Sequence, residues 1–474
     1  MADSPGTVCA RHGTETRLSC VECEQPICPS CAIRTPVGFK CPDHATAPRR
    51  ARKSSAWPPF MVLVLLAVAI WWVRDRPAQQ TAAGPTCPTR AAPDVGIGPD
   101  GGGTTWTELE RSPLCGRFSA VSVWTGQELV IWGGQNCAGA ECPSPRAPRM
   151  ADGAAFGPSR NTWRTVAAAP IDGRDGAAAA WTGTEVVVWG GSNQLGLLAD
   201  GAAYDPARDE WRTVAPAPIS ARGEAAAVWT GRELVIWGGS GEPHSDGAAY
   251  DPATDSWRPL APAPVEGRAA PASVWTGREV LVWGGSAGGE DRADGAAYDP
   301  ARDSWRALAP SPLPPRNGAA WVWSGRELIV WGGASGTELL ADGAAYDPAT
   351  DRWRELPAAP VVPRASALAV WSGQEMLVWG GLGLAADSGG DSGVVVGPVG
   401  GRRLAPDLIV PRGDGAAYDP ASGSWRRLEQ VALLGRAYPV GAWDGEAMVV
   451  WGGVVLVDSP ASAADGARYT PRPG

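Results

Sequence analysis

The sequence predicts an all-β fold for residues 104–474, a ring of seven units that are each a small four-stranded antiparallel sheet. Three observations predict it. A Trp-Gly-Gly phrase occurs seven times, its first glycine falling at Gly133, Gly190, Gly238, Gly284, Gly332, Gly380 and Gly452. An Asp-Gly-Ala phrase also occurs seven times, beginning at Asp152, Asp200, Asp246, Asp294, Asp342, Asp414 and Asp465. A closing tryptophan follows six of these phrases, at Trp163, Trp211, Trp257, Trp305, Trp353 and Trp425, and its seventh copy stands at the opposite end as Trp106. A period of about 48 residues marks an array, because one such unit alone cannot bury its apolar face.

Composition supports packing repeats and disfavours a nucleic-acid partner. The 25 Trp outnumber the 4 Phe and 7 Tyr together, and 21 of them occupy three fixed positions in the seven repeats. They read as packing elements. The net charge of -9 is uneven: residues 1–53 carry 8 Lys+Arg against 5 Asp+Glu, leaving 33 against 45 for the rest. An acidic repeat region does not suit a polyanion. Lys40 and Lys53 are the only lysines, and the Ala/Gly/Arg/Pro bias elsewhere suits a GC-rich bacterial genome.

The chain opens with a metal-binding pattern. Residues 1–48 hold Cys9-x2-His12, Cys20-x2-Cys23, Cys28-x2-Cys31 and Cys41-x2-His44, four ligand pairs in a row. Zn²⁺ takes four N or S ligands, so these eight make two closed tetrahedral sites. With no position open to water, the expected role is structural, and the metals supply most of the folding free energy of so small a module. Disulfide pairing is the competing reading, and it fails in a reducing cytosol. Pro26-Ile27-Cys28-Pro29-Ser30-Cys31 and Val37-Gly38-Phe39-Lys40-Cys41-Pro42 give the segment its likeness. It resembles the B-box type of zinc finger and the cysteine-rich leaders of some bacterial membrane proteins, rhomboid-like ones included. Across residues 9–44 the resemblance implies cross-braced pairing, with Cys9, His12, Cys28 and Cys31 on one ion and Cys20, Cys23, Cys41 and His44 on the other.

After a basic juxtamembrane segment, 49–55, the 18 residues from Ala56 to Val73 are uncharged and mostly apolar. At about 1.5 Å per residue they reach across a hydrocarbon core, with Trp57, Trp71 and Trp72 as interfacial anchors. Arg49, Arg50, Arg52 and Lys53 precede the span, whereas Arg74 and Arg76 follow it with Asp75 between them. The positive-inside rule therefore places the zinc module in the cytoplasm and the repeats outside. A cleaved signal peptide is the alternative, and so long a metal-binding region before the span is unlike one. Residues 74–103 read as a flexible stalk rich in Pro, Ala, Gly and Thr. Beyond the span lie Cys87, Cys115, Cys137 and Cys142, an even number that fits an oxidising space, with three connectivities open.

Each repeat reads as four strands. In the third copy Gly223–Trp229 is the first, Thr230-Gly231 turns into Glu233–Trp237, Gly247–Asp251 is the third, and the fourth surrounds Trp257. A Gly-Gly after an apolar strand, an aromatic followed by Asp-Pro, and a Trp beyond a short turn resemble the kelch repeat, over residues 104–470. The resemblance implies a seven-bladed kelch β-propeller. Residues 436–443, 447–451 and 466–470 supply three strands of the last blade and 104–109 the fourth, so pairing of the two ends closes the ring and leaves no open edge. Alanine runs such as Ala177–Ala180 and Ala225–Ala227 suit the crowded strands nearest the axis.

Repeated polar residues read as structural. Arg117, Arg174, Arg222, Arg268, Arg316, Arg364 and Arg436 precede the first strands, and the simplest partners are the aspartates of Asp-Gly-Ala. The hairpin glutamates, from Glu128 to Glu446, belong to the opposite face. Function is expected where repetition fails: at Asp175, Glu224, Asn317 and Tyr438 beside the arginines, at His244 in a variable loop, and in the long insertion from Leu382 to Arg412. Galactose oxidase-like kelch propellers are copper enzymes with several axial histidines; beyond the span this chain has only His244, so no cofactor is expected in the propeller. Other propeller enzymes, the kelch-type sialic acid epimerases among them, leave no linear motif. The expected function is a membrane-anchored propeller that binds a protein or glycan on its loop-rich face, with a cytosolic zinc module for a protein partner. The alternative is an enzyme of carbohydrate or peptide chemistry, an epimerase, mutarotase or hydrolase working in the funnel.

Overall fold

The computed structural model describes residues 105–137, 142, 147–241, 244–385, 409–431, 433–456 and 459–471, together with the backbone of four short strands nearer the N-terminus. The chain divides into two compact units, 1–83 and 84–474. In the first, Thr7–Val8 pairs antiparallel with Glu15–Thr16, and Ile33–Thr35 with Gly38–Lys40. The second hairpin falls between Cys31 and Cys41. The eight expected zinc ligands, the span 56–73 and the stalk lie outside the described residues. Among the described residues no helix is long and apolar enough to cross a membrane.

The second unit is a β-propeller. Among the described residues it holds seven four-stranded antiparallel sheets, here numbered 1 to 7 from the sheet that begins at Val121. Sheet 3 shows why the repeat folds this way. Its strands are Ala226–Trp229, Leu234–Trp237, Gly247–Asp251 and Ser256–Pro259. Thr230 fastens the first hairpin, its hydroxyl donating to the Glu233 carbonyl and accepting from the Glu233 N–H, both at 3.0 Å. Asp251 fastens the last by accepting from Ala253 N–H at 2.9 Å. In all seven sheets the second strand is buried along its whole length. A strand covered on both faces must be apolar throughout, which explains Leu-Val-Ile-Trp where an alternating pattern is absent.

Seven apolar clusters join neighbouring sheets. One unites Trp237 and Leu260 of sheet 3 with Val280 and Tyr298 of sheet 4. Two others complete the cycle. Trp106 lies with Leu377 and Trp379 of sheet 6 and Met448 of sheet 7, and Trp451 of sheet 7 lies with Leu129 and Phe156 of sheet 1. Each Trp of a Trp-Gly-Gly phrase touches the closing Trp of the next sheet: Trp132 and Trp211 at 5.5 Å, Trp189 and Trp257 at 5.8 Å, and so on to Trp379 and Trp106 at 5.8 Å and Trp451 and Trp163 at 5.8 Å. The expected closure is present, since Trp106–Glu108 is the outer strand of sheet 7 and pairs Glu108 with Ala467, Thr107 with Arg468 and Trp106 with Tyr469.

The Gly-Gly pair is a joint between sheets. In all seven repeats the N–H of its second glycine donates to the carbonyl of the next repeat's buried arginine, from Gly134 to Arg174 through Gly453 to Arg117. The first glycine must let that carbonyl close in. At Gly190 φ is +68°, and a Cβ there would stand 2.6 Å from the Arg222 oxygen, so no other residue fits.

Two details depart from the expectations. The first strand of sheet 3 begins at Ala226, three residues later than Gly223, because Glu224 is left-handed at φ +53° and breaks the extended chain. Among the open cysteine pairings the structure selects Cys137–Cys142, with Cα atoms 5.4 Å apart. Cys115 is disulfide-bonded to neither of them.

Candidate binding site

The seven arginines are buried charges of the propeller. Their side chains are 0–1% exposed, and each meets the aspartate of its own repeat: Asp152, Asp200, Asp246, Asp294, Asp342, Asp414 and Asp465, at 2.6–3.0 Å. Arg174 also donates to the carbonyls of Asp172, Gly190 and Asp200. A buried guanidinium with carboxylate and carbonyl partners is satisfied, so this set stitches loop to strand and is unavailable to a ligand.

The hairpin glutamates are engaged in the same way on the other face. Arg212 pairs with Glu185 at 2.6 Å and reaches the next sheet to donate to the Tyr250 hydroxyl at 3.1 Å. That tyrosine donates to Asp255, which also accepts from Ala215 N–H of the preceding repeat. The carboxylate–amide clamp recurs at Asp209 with Ala167, Asp303 with Ala261 and Asp351 with Ala309. Among the described residues it is lost between sheets 5 and 6. At sheets 5 and 6 the aspartate is Gly423 and the alanine is Pro357, so acceptor and donor vanish together. A groove of about 600 Å³ lies between the same two sheets, lined by Arg326, Glu327, Trp371, Gln374, Glu375 and Arg426 among others.

On the loop-rich face, the second residue after each buried arginine is left-handed in every repeat: Ser119, Gly176, Glu224, Ala270, Gly318, Ser366 and Tyr438, with φ between +48° and +60°. For a residue with a Cβ this conformation costs about 1–2 kcal/mol. The cost is offset by a belt of hydrogen bonds from sheet to sheet. Gly176 N–H donates to Ser119 O at 3.3 Å, Glu224 to Gly176 and Ala270 to Glu224 at 2.7 Å, Ser366 to Gly318 at 2.8 Å, and Tyr438 to Ser366 at 3.2 Å. Two links are missing. At the first, Ala270, Asn317, Gly318 and Trp321 line a water-sized cavity of about 10 Å³. At the second, the rings of Phe118 and Tyr438 stand 6.2 Å apart.

The structure divides the expected site residues. Glu224 and Tyr438 are members of this ring. Asp175 and Asn317 lie one position earlier and act as struts: Asp175 accepts from Arg149 at 3.1 Å, from Ser192 at 2.8 Å and from Gln135, while Asn317 donates to Asp291. His244 lies elsewhere in a loop, its Nδ1 3.4 Å from the Ser220 hydroxyl. The insertion is described only at its ends, where Leu382–Leu384 pairs with Ile409–Pro411.

Glu224 is the unusual member. It is exposed to solvent, yet protein surrounding the ring deprives its carboxylate of hydration and raises its pKa, and the charge of Asp175 adds to the rise. Burial raises the Tyr438 pKa, a hydrogen bond with Ser366 opposes this, and the charge of Glu224 adds to it. The two residues come from sheets 3 and 7, on opposite arcs of the cycle, and still feel each other. Among the described residues the Glu224 carboxylate has no hydrogen-bonding or ionic partner.

Sequence reasoning passed over Trp321. It stands in an inner strand where the other repeats place Ser122, Ala179, Ala227, Ser273, Ala369 or Gly441, and that break in the small-residue run was readable. Gly284-Gly285-Ser286-Ala287-Gly288 also spells a nucleophile elbow. Instead of a strand-to-helix turn it forms a hairpin, Ser286–Ala287 with Glu290–Asp291, so the spelling carries no chemistry.

No curated protein matches this chain. Residues 217–381, from the link before sheet 3 to the second strand of sheet 6, match a family model described as the KLHDC2/KLHL20/DRC7 Kelch-repeats domain, and the all-β sheets agree with that likeness.

Proposed function

We propose that the chain is a membrane-anchored, seven-bladed kelch propeller that binds a protein on its loop-rich face, at the mouth formed by the left-handed ring. One observation carries this reading: where the arginine and glutamate charges of the propeller are paired seven times over, Glu224 and Tyr438 are unrepeated members of the left-handed ring, and the charge of the first reaches the second. The kelch family match supports a protein as the ligand. Residues 56–73 provide the anchor, and the charge on either side of them puts the propeller outside the cell. Cys9, His12, Cys20, Cys23, Cys28, Cys31, Cys41 and His44 hold two structural zinc ions in a cytosolic module that engages a second protein.

The enzyme alternative rests on the same two residues. No arginine or histidine joins them among the described residues, because the arginines are spent on aspartates and His244 lies in a loop. Binding is therefore the simpler use of the site.

Arrays of envelope proteins and of glycans, probed with the full chain and with a Glu224→Ala/Tyr438→Ala variant, test the reading. Loss of a protein signal in the variant is expected. Equal signals reject the site, and a signal on glycans alone replaces the ligand class. Metal analysis of the full chain should find about two zinc ions; none under reducing conditions rejects the zinc module.

A further inference from the structure

We propose that the seam between sheets 7 and 1 receives an acidic segment of a protein partner, an extended peptide whose carboxylates reach Arg111 and Arg160. This surface lies on the outer strands, apart from the ring mouth, and takes from the reading above only that the ligand is a protein.

A groove of about 520 Å³ lies at this seam, with Glu110, Arg111 and Ser112 of the link that leaves sheet 7 on one side and Arg160, Thr162 and Trp163 of sheet 1 on the other. Its charge comes from three departures from the repeat. The first is Gly157. Arg208 and Arg302 hold the position of Arg160 in sheets 2 and 4, and each pairs with the aspartate three residues earlier, Asp205 at 3.3 Å and Asp299 at 2.5 Å; sheet 1 has Gly157 there. The second is Asn161, a neutral amide where sheets 2 to 5 carry Asp209, Asp255, Asp303 and Asp351. The third is Arg111, which stands where the links after sheets 1 to 5 have Ala168, Pro216, Pro262, Pro310 and Ala358. Two carboxylates are lost and a guanidinium is gained. Both arginines are exposed, and among the described residues neither side chain has a hydrogen-bonding or ionic partner. Glu110 returns one carboxylate, so the cations prevail here in a repeat region that is acidic as a whole.

Neutral groups complete the surface. Ser112 is only 8% exposed. Its oxygen accepts from Leu114 N–H at 3.1 Å, and among the described residues its O–H has no acceptor, which leaves it to the groove. Thr162–Thr165 is the outermost strand of sheet 1, so its free edge carries backbone N–H and C=O groups that an extended peptide satisfies by adding as a strand. Other outer strands have such an edge as well. This one borders two unpaired guanidiniums, each able to form a charge-assisted pair with an aspartate or glutamate of the peptide. A neutral or basic peptide gains the edge without the pairs.

The probe is a peptide of glycine, serine and three spaced glutamates carrying a neutral fluorophore, compared with one in which glutamine replaces glutamate. Binding to the full chain is read by anisotropy at near-physiological salt. The glutamate peptide should bind and the glutamine peptide should not. Arg111→Ala and Arg160→Ala should each weaken binding about tenfold. Gly157→Asp restores the carboxylate of the repeat at a site where a Cβ meets only the Thr162 oxygen, at 3.8 Å; it should weaken binding as much without lowering the melting temperature. Arg278→Ala, which removes an exposed charge from sheet 4, should leave binding unaltered. Absence of glutamate-peptide binding overturns the proposal, and so does an oligosaccharide of glucuronate that binds in its stead. An equal loss in Arg111→Ala and Arg278→Ala also overturns it, because the attraction would then be diffuse. The Glu224→Ala/Tyr438→Ala variant should bind the peptide as the parent does, so the two readings fail separately: a protein signal lost from the arrays in that variant, with no peptide bound by the parent, removes the groove alone.

Discussion

At the scale of single residues, the arginine–aspartate pairs show how a repeated charge serves a fold. Arg174 has a side chain with no exposure and four partners around it. Asp200→Ala would leave that guanidinium without its counter-charge, and we expect about 3 kcal/mol of destabilisation, read from denaturant melts. The Asp200 pKa is lowered chiefly by the hydrogen bond from Arg174, against an opposing loss of hydration. A carboxylate whose pKa is depressed in the folded state stabilises the fold above its unfolded value of 3.8, and that contribution disappears as pH falls through the folded value. The melting temperature should therefore hold from neutrality to about pH 5 and drop below about pH 4. Asp200→Ala should blunt that acid limb; a variant as acid-sensitive as the parent would show that the pair does not govern it.

At the scale of elements, the outer strand Trp106–Glu108 completes sheet 7. Trp106 is buried against Trp379 and Tyr469, and its indole donates to the Glu429 carbonyl at 2.9 Å. Trp106→Ala should cost about 3–5 kcal/mol, and removal of residues 104–110 should lower the melting temperature more sharply still. The seam between sheets 5 and 6 allows the converse experiment. Pro357→Ala with Gly423→Asp rebuilds the missing clamp and should stabilise by about 1 kcal/mol. Each change alone should give less, since one adds a donor and the other an acceptor; additive effects in a double-mutant cycle would deny the clamp. The four-stranded sheets, their strand order and the arginine–aspartate pairing were legible because the sequence states them seven times, whereas the short loop hairpins such as Ser286–Ala287 with Glu290–Asp291 were not. The left-handed ring was not. Ser119, Glu224, Ala270 and Tyr438 share no chemistry, so residue identity does not spell their common backbone, and Asp175 and Asn317 were grouped with Glu224 although they lie one position earlier. The open seam was also hidden, since it consists of two absences 66 positions apart.

At the scale of the whole molecule, the proposed topology has a chemical signature. Lys40 and Lys53 are the only lysines in the chain, and both precede residues 56–73. A membrane-impermeant amine reagent should leave this protein unlabelled on intact cells and label it after lysis, whereas labelling without lysis would reverse the orientation. The closed ring adds a mechanical property. The strand that comes first in its sequence is an outer strand of its last sheet, since Trp106–Glu108 pairs with Gly466–Tyr469. Any tension carried by the segment that precedes Thr105 therefore enters the propeller at its own fastening, and meets the backbone partners Thr470, Tyr469, Arg468 and Ala467 before any other strand. The proposed tether would run directly into the clasp of the ring as one piece of chain, so a pull on the first would strain the second.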